Sequence, residues 1–354
     1  MKIGILTFHD TCNFGSMLQT YGLYRAIEDL GYECEVIDYQ CENIVNREIP
    51  KPLRFTLSPK TILLYLLVGH HSIDKYNSLS VFLHKNMKLG DRCDKTDVAQ
   101  KCSHYDKIVV GSDIVWGLDI TGDDLTYFLD FESDSKKKFA FSSSIGNQWS
   151  TEEKKLVKPL LESFNRIAVR EVESAIWVEE LTGKRPPVVC DPTMLLNANT
   201  WRNVTGVKKA KSNYVLVYFD NKNHDCLTNA LRYAKAFGLK VYLIGNGFSH
   251  AGYKTLKPHS LGEFLSLIEN AAFVMTASYH GMLFSLYFHK QFAYFNRAHK
   301  SRMNTLSKRL CVDDRNGEEY DVMSMSPIDY KKVEDSLMKY RTESMTCLKQ
   351  FLEL

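Results

Sequence analysis

None of the nine cysteines in this 354-residue chain forms a Cys-x-x-Cys pair, so neither a zinc site nor a thioredoxin-like dithiol is signalled. The corner after the first strand-like segment lacks Gly-x-Gly-x-x-Gly, and no Walker Gly-Lys-Ser/Thr occurs. A standard nicotinamide, flavin or P-loop site is therefore not indicated. Charge of one sign is also missing. With 45 Lys and Arg against 42 Asp and Glu the net charge is +3, too little for a nucleic-acid binder without a focused basic patch. The clusters Lys136-Lys137-Lys138 and Lys208-Lys209 are short and read as solvated loops. No secretory signal opens the chain, because Met1 runs straight into a strand-like segment; a cytoplasmic setting is expected, with cysteines such as Cys190 as small apolar core residues. The longest apolar run, Ile62 to Val68, is far short of the ~20 residues that span a bilayer. It reads as a buried helix in an insertion. Contact with a membrane surface is the alternative, because Arg47, Lys51, Arg54 and Lys60 precede it.

What is present is an ordinary globular composition, 44% hydrophobic and 25% charged, long enough for two domains of about 150–200 residues each. Lys2 to Thr7 is a short β-branched run and reads as a buried strand; Ser16 to Leu30 has helical spacing and stops at Gly31; Glu33 to Tyr39 is a second strand. Such a βαβ opening predicts a parallel sheet. Residues 40–97 are less regular, with Pro50, Pro52 and Pro59 and an amphipathic stretch around Tyr76, Leu79, Phe82 and Leu83, and are expected to form a helical insertion. Further strands are expected at 106–110, 138–141, 166–169 and 187–190. A fresh α/β unit starts at Tyr214 to Phe219, continues through strands at 239–244, 272–276 and 292–295, and carries a capping box at Ser260 and Glu263. The tail from Ile328 reads as helical. The expected division is an N-terminal α/β domain over residues 1–195, with an insertion at about 42–97, and a C-terminal α/β domain over 196–354. Two similar α/β halves with polar strand ends predict a cleft between them.

Every candidate strand delivers polar residues at its carboxyl end, where open α/β sheets bind ligands. Asn13 and Gly15 form the first corner and read either as a pocket edge or as an Asx turn. At Gly111-Ser112-Asp113, with Trp116 nearby, Asp113 is a proton or hydrogen-bond acceptor for a hydroxyl and Trp116 a sugar platform; the other reading makes them a helix cap and a packing residue. Arg170-Glu171 follows a strand directly, which favours a fork onto a carboxylate or phosphate over a surface ion pair. His280 lies at a strand-to-helix corner between Ser278 and Gly281. Backbone N–H groups and the helix dipole favour an anion there, and an imidazole passes a proton near neutral pH. Arg302 and Lys308 add positive charge after the next strand, as a solvated face or as an anion clamp.

Taken together, Asn13-Phe14-Gly15 through Leu18-Gln19-Tyr21, Gly111-Ser112-Asp113 with Trp116, Val169-Arg170-Glu171, Asp191-Pro192-Thr193 with Trp201, and Thr276-Ala277-Ser278-Tyr279-His280-Gly281 resemble the polysaccharide pyruvyl transferase family, roughly from Ile3 to Leu310. The resemblance implies two Rossmann-like domains in a GT-B-like arrangement. It also implies phosphoenolpyruvate as co-substrate, no cofactor or metal, and a saccharide acceptor, often lipid-linked, in capsule or exopolysaccharide assembly. By the same resemblance Arg170 grips the donor's anionic groups and His280 binds the donor and acts as the acid. Asp113 or Glu171 would accept a hydroxyl proton. Ser278, Gly281 and Arg302 on the donor side, and Asn13, Gly15, Ser112 and Trp116 on the acceptor side, complete the binding residues. Two departures stand out: some members have arginine where Ser278 stands, which shifts charge neutralisation toward Arg302, and Ile114 replaces a glutamine after Gly-Ser-Asp. Two other readings remain from the residues: a GT-B glycosyltransferase using a nucleotide sugar, whose diphosphate suits the same helix start, and a non-catalytic glycan-assembly protein. Peripheral contact with the inner face of the cell membrane is an expectation tied to a lipid-linked acceptor.

Overall fold

The computed structural model describes residues 1–50, 70–210, 213–220, 224–296 and 300–354, with the side chains of residues 300 and 301 excepted. The apolar run at 62–68 and its neighbours Lys51, Arg54 and Lys60 lie outside the described residues, and so does the expected insertion helix or membrane contact there.

The chain forms two compact units. Unit 1 holds the parallel strands β1 (Lys2–Leu6), β2 (Glu33–Val36), β3 (Lys107–Val110), β4 (Lys138–Ser143) and β5 (Arg166–Val169), in the order β2-β1-β3-β4-β5. Its helices include α1 (Phe14–Asp29), α2 (Glu42–Glu48), part of α3 (His70–Asn86), α4 (Val98–Cys102), α5 (Leu118–Thr121), α6 (Thr151–Glu162) and α7 (Val172–Thr182). In unit 2, from Asn197 on, α8 (Ala198–Thr205) precedes a second parallel sheet of β6 (Tyr214–Tyr218), β7 (Lys240–Ile244), β8 (Lys254–Leu256), β9 (Phe273–Thr276) and β10 (Phe292–Tyr294), in the order β10-β9-β6-β7-β8. Helices α9 (Asp225–Phe237), α10 (Leu261–Glu269), α11 (Tyr279–Tyr287) and α12 (Lys300–Arg309) belong with it. The central strands are buried on both sides, as all-parallel sheets require, which is why they read as continuous apolar runs.

The strand orders locate the ligand-binding ends. In unit 1 the chain adds β2 on one side of β1 and β3 on the other, so the order reverses between β1 and β3. In unit 2 it reverses between β6 and β9. Loops leaving the carboxyl ends of such strand pairs diverge and open a crevice. The first crevice is bordered by the Asn13 and Asp113 corners, the second by Phe219 and the Ser278–His280 corner.

The units are not two consecutive stretches. The passage falls between Leu196 and Asn197, yet Lys339–Leu354 belongs with unit 1. The long helix α13 (Tyr330–Glu353) supplies the reason. Lys107 Nζ, on a buried strand, donates to the carbonyl of Leu352 (2.8 Å), and Ser344 Oγ accepts the backbone N–H of Cys190 (2.9 Å). These are polar groups that unit 1 cannot leave unsatisfied. Residues 70–78 at the start of α3 go with unit 2, whereas Leu79 and Leu83 are buried in unit 1.

Two local expectations need correction. Residues 187–190 form no strand but a single parallel bridge, Val169 to Val188, because Pro186 and Pro187 bring no N–H to a ladder. At α10, Ser260 accepts the N–H of Glu263 as expected, but the Glu263 carboxylate takes the N–H of His259 rather than closing the box on Ser260.

Candidate functional site

In unit 1 the residues singled out by sequence gather at the carboxyl end of the sheet, where most of them are bound to one another. Asn13 caps α1, its Oδ1 accepting the N–H of Gly15 at 2.8 Å. Gln19, one turn on and fully buried, accepts the Ser112 N–H (3.0 Å) and donates to Thr7 Oγ1 (2.9 Å). Ser112 Oγ donates to the carbonyl of Ser142 (2.8 Å). Asp113 has φ 72, a left-handed backbone uncommon outside glycine. Its half-buried carboxylate accepts the Ile114 N–H (2.9 Å) and the Ser16 hydroxyl (2.5 Å). Of this group Asp113 and Asn13 reach solvent; Gly15 and Ser112 are buried and make no contact surface for a ligand.

Arg170 and Glu171 lie deeper still. The Arg170 side chain is 1% exposed and pairs with Glu171 Oε1 through Nε (2.9 Å) and with Asp191 Oδ2 through Nη1 (3.0 Å). Glu171 also accepts the Ser174 hydroxyl (3.1 Å), and Asp191 accepts both the N–H (2.9 Å) and the hydroxyl (2.7 Å) of Thr193. The guanidinium is thus held by two carboxylates inside the unit. Trp116 is corrected as a sugar platform. It is fully buried, its indole N–H donates to the Tyr127 carbonyl (2.9 Å), and its ring stacks on Phe128. The sequence signal missed Asp191 and Gln19 as partners in this network because their contacts are non-local.

In unit 2 the corner after β9 is built around a hydroxyl. Thr276 Oγ1 donates to the Tyr218 carbonyl (2.6 Å) and accepts the Ser278 N–H (3.0 Å), tying β9 to β6. Ser278 then caps α11, its Oγ accepting the Gly281 N–H at 3.3 Å, which leaves the serine's own proton to donate. A Cβ on Gly281 would lie 2.4 Å from Thr276 Oγ1 and 2.9 Å from Tyr218 Cδ1. Glycine is therefore demanded by close helix–strand packing. His280 stands in the first turn of α11, half-buried, with the Tyr279 ring edge-on at 5.7 Å. The neighbouring strand end is strained: Phe219 has φ 54, is 43% exposed, and its carbonyl accepts the Ala277 N–H (2.9 Å). Arg302 is half-buried on α12, which packs against α11. At the end of β10, Asn296 donates from its backbone and side chain to the two oxygens of Glu318 (3.1 Å each). The structure thus brings Ser278, His280 and Gly281 into one corner, with Phe219 added, which sequence reasoning did not single out.

Among the described residues no helix is long and apolar enough to cross a membrane. The chain matches the family described as polysaccharide pyruvyl transferase over residues 13–299. No protein of curated function matches it in sequence. Among solved structures it is similar to an α-glucosyltransferase in complex with UDP and a 13-mer DNA (TM-score 0.53, 8% identity, covering 98% of this chain and 99% of that one). It is also similar to UDP-GlcNAc 2-epimerases from Methanocaldococcus jannaschii (TM-score 0.46, 14% identity, 100% and 99%) and Neisseria meningitidis (TM-score 0.47, 9% identity, 98% and 93%). The glucosyltransferase speaks for the fold, two Rossmann-like α/β units of GT-B type, and for the fold alone.

Proposed function

The chain belongs to the polysaccharide pyruvyl transferase family, and we propose that it moves the enolpyruvyl group of phosphoenolpyruvate onto two hydroxyls of a saccharide. The match carries this reading, because it runs through both units and includes the His280 corner. In the proposed reaction the methylene carbon of the enol ester takes a proton, which leaves an oxocarbenium-like centre at C2. A sugar hydroxyl adds there, the C2–O bond to phosphate breaks, and a second hydroxyl closes the ketal. One hydroxyl proton balances the proton taken by carbon, and the other leaves with the phosphate or the solvent.

His280 is the proposed acid: an imidazole near neutral pH gives a proton to carbon and regains it from solvent. The donor carries about three negative charges, which charge-assisted contacts and a helix start stabilise. Ser278, with a proton to donate, the first turn of α11 and the cation Arg302 on the packed neighbour α12 support that role in unit 2. Asp113 is the proposed acceptor of the sugar proton, since its carboxylate is half-buried and held in place by Ser16. The acceptor is proposed to be a lipid-linked or polymeric glycan of capsule or exopolysaccharide assembly, met in the cytoplasm at the inner face of the membrane.

The test is phosphate release from phosphoenolpyruvate in the presence of glycan acceptors. His280→Ala is expected to lose at least ~100-fold of the rate, the usual contribution of a positioned acid. Near-wild-type turnover by that variant removes His280 from the chemistry.

A further inference from the structure

We infer that the saccharide acceptor is recognised in a polar hollow of unit 1 formed by α2, residues 92–97 and the turn that follows α5. The inference rests on the transfer reading above and says where its acceptor is held.

The need for such a place comes from the β3 corner. Ser112 and Trp116, expected to touch the sugar, are buried and hydrogen-bonded inside the unit. The hollow has a volume of about 880 Å³, the size of a site for several sugar rings rather than one small anion. About half of its exposed wall is polar and offers partners to hydroxyl groups, which donate and accept at once. Asn43 and Asn46 supply amides, and carboxylates and cations stand beside them. Its charge decides the class of glycan. Glu42, Asp94, Asp97 and Asp124 outnumber Arg92 and Lys95, so a neutral or amino-sugar chain is favoured and a carboxylate-rich one is repelled.

The floor is fixed before a ligand arrives. Tyr39 donates to Asp124 Oδ2 (2.6 Å) and accepts from Thr126 Oγ1 (2.9 Å); Arg92 donates to Gln40 Oε1 (2.7 Å). Asn43 Nδ2 donates to the Ile120 carbonyl (2.8 Å) over Gly122, where a Cβ would lie 3.0 Å from the Asn43 side chain. Groups held in this way lose little freedom on binding. One connection, from β3 to β4, carries both Asp113 and the Gly122–Asp124 wall. The proposed proton acceptor and one wall of the hollow therefore lie on the same chain connection, although Asp113 itself does not line the hollow.

The experiment uses the full chain. An array of neutral and uronate-containing oligosaccharides identifies the best neutral binder, which is then titrated calorimetrically against Asn46→Ala, Lys95→Ala and Asn46→Trp. Asn46 and Lys95 are exposed, so these changes leave the fold intact, as circular dichroism would verify. Each variant is expected to bind that oligosaccharide about 10-fold more weakly or worse, one to two hydrogen bonds' worth, with phosphoenolpyruvate affinity unchanged. Unchanged affinity in Asn46→Trp, a preference for uronates, or no oligosaccharide bound by the wild type overturns the inference. The two readings fail separately. Hollow-dependent glycan binding without phosphoenolpyruvate turnover sinks the transfer reading and leaves the site, whereas turnover indifferent to the hollow does the reverse.

Discussion

Arg170 shows how a residue's partners can be hidden from the sequence around it. Sequence presents an arginine after an apolar strand, which reads as a hand for an anion. What the sequence hides is Asp191, twenty-one residues on, whose carboxylate reaches Nη1 at 3.0 Å. Removing the guanidinium would leave two buried acids facing each other. Arg170→Ala is therefore expected to lower the unfolding free energy by about 3–5 kcal/mol, read as a fall in the urea midpoint, and Arg170→Lys by less. If Arg170→Ala unfolds like the wild type, the two ion pairs do not hold the unit as described. His280 is the converse case. Its setting was legible because glycine, a capping serine and an apolar helix sit on consecutive positions, a local pattern that needs no distant partner. Trp116 was not legible, since a tryptophan near a polar corner looks the same whether its ring faces a sugar or Phe128.

At the scale of elements, strands with apolar runs and helices with caps were readable, and those without a local signature were not. The three-residue β8 has one apolar side chain and escaped notice, and the proline-led segment at 187–190 looked like a strand but makes one bridge. The α11 corner makes a prediction of its own. Gly281→Ala places a methyl 2.4 Å from Thr276 Oγ1, so the β9–α11 corner must open. A loss of about 1–3 kcal/mol is expected, together with weaker donor binding. An alanine variant as stable as the wild type would show that the packing is looser than described.

A second element-scale prediction concerns α3. His71 Nδ1 lies 2.6 Å from His259 Nε2, joining the start of α3 to the segment before α10 within unit 2. Burial, followed by the nearby His259, Lys257 and Lys75, pushes His71 below its ordinary value against the pull of Asp74. The folded state thus resists a proton that the unfolded chain accepts. As pH falls below about 6.5 the unfolded state gains protons first, and the stability from this pair declines until the lowered folded value is passed. Amide exchange near His259 is expected to quicken between neutral and mildly acid pH in the wild type and to be flatter in His71→Gln. Equal pH dependence in both would remove the pair as the cause.

For the whole molecule, the two α/β units and their parallel sheets followed from the rhythm of apolar runs and polar corners, and family membership followed from motifs spread along the chain. The path of the chain between units did not. That α13 gives its last residues to unit 1 depends on a buried lysine, Lys107, meeting a carbonyl more than two hundred residues away, and nothing local announces it. Nor does fold type choose between phosphoenolpyruvate and a nucleotide sugar, because both present an anion to a helix start. The decisive measurement is therefore phosphate release, followed with the full chain, a panel of glycans, and either phosphoenolpyruvate or UDP-sugars as donor. The account predicts phosphate released from phosphoenolpyruvate only when a glycan is present, with a ketal carboxylate appearing on that glycan and the activity lost in His280→Ala. Glycosyl transfer from a UDP-sugar, with phosphoenolpyruvate left intact under every glycan, would contradict it.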